Sequence, residues 1–165
     1  MPRPDTDLFA LLRTLATEGV DFIVTGGVGA VLHGAPIATF DLDLVHSRDP
    51  GNTDRLAAAL ASLGAYYREH PEKRHVPGAV PLSGPGHHLL MTDAGPLDLL
   101  GTVTGGRGYE DLVTYAVDVV IEPGLSIKVL GLSMIIRLKE ELGGEKDLAS
   151  LPILRRTLEE RDRTG

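Results

Sequence analysis

Apolar and polar positions along this chain follow two different periods, and the switches between them divide it into elements. Leu8, Leu11, Leu12 and Leu15 recur at i, i+3, i+4 and i+7, so residues 7–18 predict an amphipathic helix. Acidic side chains from Asp5 to Asp7 offer capping oxygens in front of it, and Gly19 offers a stop. "VDFIVTG" (20–26) reads as a short, largely buried strand ending on a glycine pair, and "VGAVLH" (28–33) as a brief helix. "ATFDLDLVH" (38–46) shifts to a period of two, with Asp41 and Asp43 on one face and Leu42 and Leu44 on the other.

The helical period returns in "DPGNTDRLAAALASLG" (49–64), where Leu56, Ala59, Leu60 and Leu63 form one stripe. Residues 69–86, rich in proline and glycine and holding the cluster "EKRH" (72–75), predict a long irregular loop. "HHLLMT" (87–92) and "LDLLGTV" (97–103) predict a hairpin through "DAGP"; "VDVVI" (117–121) and "LSIKVL" (125–130) predict a second through "EPG". "LSMIIRLKEEL" (132–142) and "DLASLPILRRTLEE" (147–160) are terminal helices separated by "GGEK". The order implies an α/β (α+β) class: a mixed sheet flanked by helices, with a two-helix C-terminal tail from about residue 130. No repeat or linker divides the chain, so residues 1–165 are expected to form a single domain.

Composition narrows the function. Cysteine is absent, which excludes disulfides and thiolate metal sites. A net charge of −7 argues against a broad electrostatic grip on nucleic acid. No apolar run approaches the roughly 20 residues that span a bilayer, and "MPRPDTD" has no signal-peptide pattern, so the expected location is the cytoplasm.

Asp41 and Asp43 are the chemical anomaly. Two carboxylates about 6 Å apart on one strand face repel by roughly 0.7 kcal/mol in water and by several-fold more near a protein surface. A divalent cation removes that penalty, and hard oxygen ligands favour Mg²⁺ or Mn²⁺. Gly26 and Gly27 lack Cβ atoms and allow backbone to approach a ligand, while the N–H groups of the helix start favour an anion. A phosphate cradle beside a Mg²⁺ site describes a nucleoside triphosphate (NTP) site. A third carboxylate is expected on a neighbouring strand. Asp98 in "PLDLLG" is the best candidate, because an acid among apolar residues needs a partner; Asp93, at a turn, is the weaker choice.

Blander readings exist for each feature. A D-x-D strand can be a solvated edge, and "GGVG" can be a plain turn; it is neither a Rossmann fingerprint nor a P-loop. His33 reads as a packing residue at the end of the short helix. His87 and His88 are adjacent on a strand and point to opposite faces, which argues against joint metal ligation. "EKRH" reads as a solvated loop, and Thr39 as a local support for the aspartate strand.

"GG", "HGAPIATFDLDL" and "LDLLG", followed by "VLGLSMIIRLKEELGGEKDLASLPIL", together resemble the nucleotidyltransferase superfamily, whose fold is that of the DNA polymerase β palm. Within it the chain is similar to the small bacterial proteins around the AbiEii toxin group and to the minimal nucleotidyltransferases. The resemblance implies that Asp41 and Asp43 hold two Mg²⁺ ions and that Asp98 binds the ion activating an acceptor hydroxyl. Gly26 and Gly27 would hold the β- and γ-phosphates, with Thr39, Lys139 and Lys146 as further nucleotide contacts. It also implies in-line transfer of a nucleotidyl group from ATP or another NTP, with pyrophosphate leaving, to a tRNA, a protein side chain or a small molecule. A cognate antitoxin or other partner protein would fit the toxin–antitoxin branch. Two positions depart from the pattern, since Ile37 and Gly144 stand where relatives often carry arginine. That departure supports an alternative: a catalytically lapsed binding module acting through a partner. A metal-dependent phosphodiesterase is a third reading, disfavoured because it needs no triphosphate cradle.

Overall fold

The computed structural model describes residues 6–39 and 41–164, and within them the alternating segments pair into one mixed sheet. Its strands are β1 (Phe22–Thr25), β2 (Leu42–His46), β3 (Tyr66–Tyr67), β4 (His87–Thr92), β5 (Gly95–Leu100), β6 (Ala116–Glu122) and β7 (Leu125–Leu130). They stand in the order β3-β4-β5-β2-β1-β7-β6. β1 runs antiparallel to β2 and parallel to β7, and β2 runs parallel to β5. The two expected hairpins, β4–β5 and β6–β7, therefore flank a β2–β1 centre contributed by the N-terminal third.

Both faces are covered, which is why the central strands read as nearly continuous apolar runs. On one face Val24, Leu42, Leu44, Leu90, Leu97 and Leu99 pack against α1 (Leu8–Thr17) and α3 (Pro50–Ser62). On the other, Ile23, Val45 and Leu130 meet α2 (Gly26–Leu32), α6 (Leu132–Leu142) and α7 (Glu145–Thr164). Asp7 caps α1, its Oδ1 accepting the Ala10 N–H at 3.0 Å; Asp5 lies outside the described residues. Gly143 ends α6 in the left-handed region (φ +65°), as a residue without a Cβ does at low cost.

Three expectations need correction. The 69–86 segment is not wholly irregular: it holds a 3₁₀ turn (Pro71–Lys73) and the one-turn helix α4 (Ala79–Leu82). Leu82 is fully buried, and its carbonyl accepts the Nε2–H of buried His46 at 2.8 Å, so tertiary contact outweighs a local composition that favours loop. β3 and α5 (Tyr109–Leu112) were not anticipated, being too short to show a period. α2 begins at Gly26 itself, so the glycine pair forms the first turn of the helix rather than a linker before it.

Candidate active site

The sheet register assembles the acidic side chains. Asp43 pairs with Thr25 on β1 and with Asp98 on β5, and Asp98 in turn pairs with Leu89 on β4. Directly paired residues project to one face. The Leu-Asp-Leu alternation of β2 and of β5 sends Leu42, Leu44, Leu97 and Leu99 into the core, all fully buried, and both carboxylates to the other side. Asp41 is exposed and lies just ahead of β2. Burial, then the Asp98 charge and hydrogen bond, then Asp41, push the Asp43 carboxyl up to about 7; Lys139 pulls the other way. Asp43 and Asp98 are thus brought together, with Asp41 close enough to be felt electrostatically.

The glycine pair stands against Asp43 and Thr39. A Cβ on Gly26 (φ +64°) would collide with the Asp43 carboxylate, and one on Gly27 would stand 2.7 Å from Thr39 Oγ1. Backbone here approaches acid and hydroxyl more closely than any residue with a side chain permits. Thr25, Gly26, Gly27 and Asp43 line a cleft closed on its far side by Leu138, Lys139 and Asp147. Lys139 is 17% exposed, and its Nζ lies 3.7 Å from Asp147 Oδ1. Lys146, one residue earlier on α7, is exposed and does not line the cleft. Ile37 is half-buried against the second core cluster, so this position supplies packing rather than charge. Gly144 is exposed beside Asp147.

Other candidates resolve into packing. His33 is buried; its Nε2–H donates to Leu130 O at 2.7 Å and its Nδ1 accepts from Arg161 Nη1 at 2.6 Å, which ties α2 to β7 and α7. His88 is buried on the core face, accepting or donating at Nδ1 to the Tyr67 hydroxyl (2.7 Å), while His87 is exposed on the opposite face. The Asp93 carboxylate lies against Gly64 at the end of α3, outside the cleft. Sequence reasoning missed Arg68, just beyond β3, whose Nη1 donates to Asp98 Oδ1 at 2.6 Å. An isolated arginine after "YY" carries no periodic or motif signal; only strand pairing exposes it.

The donor set suits a hard divalent cation. Half-buried Asp43 is held at a raised pKa beside another carboxylate, a conflict that such a cation relieves. Among the described residues no group of three His, Cys, Asp or Glu side chains encloses a cation by itself.

The chain has a nucleotidyltransferase-like fold, a mixed seven-stranded sheet flanked by helices. Among solved structures it is similar to the lincosamide antibiotic adenylyltransferase LnuA in its lincomycin-bound form, with a TM-score of 0.62 and 16% identity over 92% of this chain and 98% of that one. It is also similar to TM1012 of Thermotoga maritima, described as a presumed nucleotidyltransferase, with a TM-score of 0.54 and 20% identity over 93% and 91% of the two chains. At these identities the likeness is one of fold. Neither a protein-family model nor a curated protein sequence matches the chain. No helix of the described residues is long and apolar enough to cross a membrane.

Proposed function

We propose that the protein transfers a nucleotidyl group from an NTP to a hydroxyl acceptor with the help of Mg²⁺ or Mn²⁺. The observation that carries this reading is Asp43, in register with Asp98, standing against the Gly26 backbone. Asp41, Asp43 and Asp98 would hold the cation, which supplies charge neutralisation for the triphosphate and the developing oxyanions. Gly26 and Gly27 present backbone to the phosphates, Thr39 supports that approach, and Lys139 contributes positive charge from across the cleft. Lys146 would join only if α7 shifts its first turn inward on binding. In the reaction the acceptor oxygen bonds to the α-phosphorus, the bond to pyrophosphate breaks and the hydroxyl proton is released.

The acidic chain, at a net charge of −7, favours a small hydroxylated acceptor or a protein over RNA. LnuA acts on a lincosamide antibiotic, which supports a small-molecule acceptor on this fold. The lapsed-module reading draws on Ile37 and Gly144, which stand where relatives often carry arginine; Ile37 packs against the second core cluster. The two readings separate by calorimetry with ATP, CTP, GTP and UTP in Mg²⁺, followed by incubation of each α-labelled NTP with cell extract. Nucleotide binding and a labelled product, both lost in D41N/D43N, are expected. No binding of any NTP by the wild-type protein would favour the module.

A further inference from the structure

Asp98 is held by a cation from a strand edge that neither the glycine pair nor the D-x-D segment involves. The Arg68 backbone N–H donates to Leu89 O at 3.1 Å, prolonging the β3–β4 pairing by one residue. Its Nη1 donates to Leu90 O at 2.9 Å and to Asp98 Oδ1 at 2.6 Å. The side chains are only 28% and 15% exposed. Across the sheet the order at this level is Arg68, Leu89, Asp98, Asp43. Asp98 therefore has a guanidinium on its β4 side and a carboxylate on its β2 side.

We infer that Arg68 is a positioning residue of the proposed metal site, acting through Asp98. Resting on the nucleotidyl-transfer reading, it gives that site a residue the three aspartates do not supply. Without a counter-ion, two carboxylates in register would turn apart or share a proton. Arg68 is anchored twice to β4 before it reaches β5, so its reach is fixed by the sheet rather than by a flexible loop. It engages one carboxylate oxygen and leaves the other to the Asp43 side. Groups that hydrogen-bond a ligating carboxylate fix its orientation, and their loss typically weakens metal binding about 10- to 100-fold. The contrary possibility is physical too: a guanidinium beside a cation site could act as its competitor, and removing it would then tighten binding.

Mn²⁺ binding, followed by electron paramagnetic resonance and calorimetry on the full chain, decides between these. R68A is expected to weaken Mn²⁺ binding by about 10- to 100-fold. R68K recovers most of the loss, because a single nitrogen makes both side-chain contacts and an ammonium has three donors. In a D98N background R68A has no further effect, which a merely structural role would not produce. With substrate, kcat falls while KM for the NTP changes little. R68A binding Mn²⁺ as tightly as the wild type, or more tightly, overturns the inference and leaves the enzymatic reading intact. Wild-type protein that binds no Mn²⁺ overturns both.

Discussion

Asp43 is where sequence anomaly and structural stress coincide. Its carboxyl is raised to about 7 by burial and by Asp98, against an ordinary value of 3.8. Between those two values the folded state binds a proton that the unfolded chain has released. Stability without metal therefore falls as pH rises from 3.8 through 7 and stays low above it. D43N removes the charge and that slope. At pH 8 in EDTA the variant is expected to melt about 4–8 °C above wild type, corresponding to about 2 kcal/mol once partial exposure is allowed for. At pH 5 the gain shrinks. On the proposed metal site, Mg²⁺ is expected to raise the melting temperature of the wild type and not of D43N. Differential scanning fluorimetry at both pH values checks this, and an equal gain at pH 5 and pH 8 would contradict the electrostatic account. The acids were visible in the sequence because each interrupts an apolar strand. Arg68 was not, since its partner is 30 residues away along the chain.

At the scale of elements, α6 and α7 form the wall that carries Lys139 and Asp147. Their docking rests on Leu151 and Leu154 packing against Ile135 and Leu138 in the second core cluster. Pro152 lies within α7 and Arg155 pairs with Glu140 at 3.3 Å, but an ion pair with both partners about half exposed contributes little. Apolar packing carries the wall. Leu154 is fully buried, so L154A is expected to cost about 2–5 kcal/mol in urea unfolding. R155A is expected to cost less than about 1 kcal/mol. The long helices and both hairpins were legible because each runs long enough to show its period. The two-residue β3 and the one-turn α4 and α5 were not, because they exist only through partners elsewhere.

Over the whole molecule, three buried histidines make the fold sensitive to acid. His33, His46 and His88 are each shifted below the ordinary value, chiefly by burial. Above pH 6.5 both folded and unfolded chains hold them neutral. Below it the unfolded chain binds protons that the folded one refuses, so stability falls with pH. By pH 5.5 each histidine can cost up to about 1.4 kcal/mol. Urea midpoints measured in the D43N background, where the opposing slope of Asp43 is absent, should decline from pH 7 to 5.5. H33Q should flatten part of that decline, and a pH-independent midpoint would refute the assignment.

Periodicity and side-chain chemistry settled in advance which residues go inside and where the main helices and hairpins run, and they marked the acids in apolar strands as anomalies. These are local properties, written in the spacing of residues a few positions apart. Which strands lie side by side is decided by packing across the whole chain. That packing sets β2 beside β5, puts Asp43 level with Asp98, brings Lys139 over the glycine pair and delivers Arg68 from the far edge. Alternation tells which face a side chain takes, whereas only a register between distant strands tells which other side chain it meets.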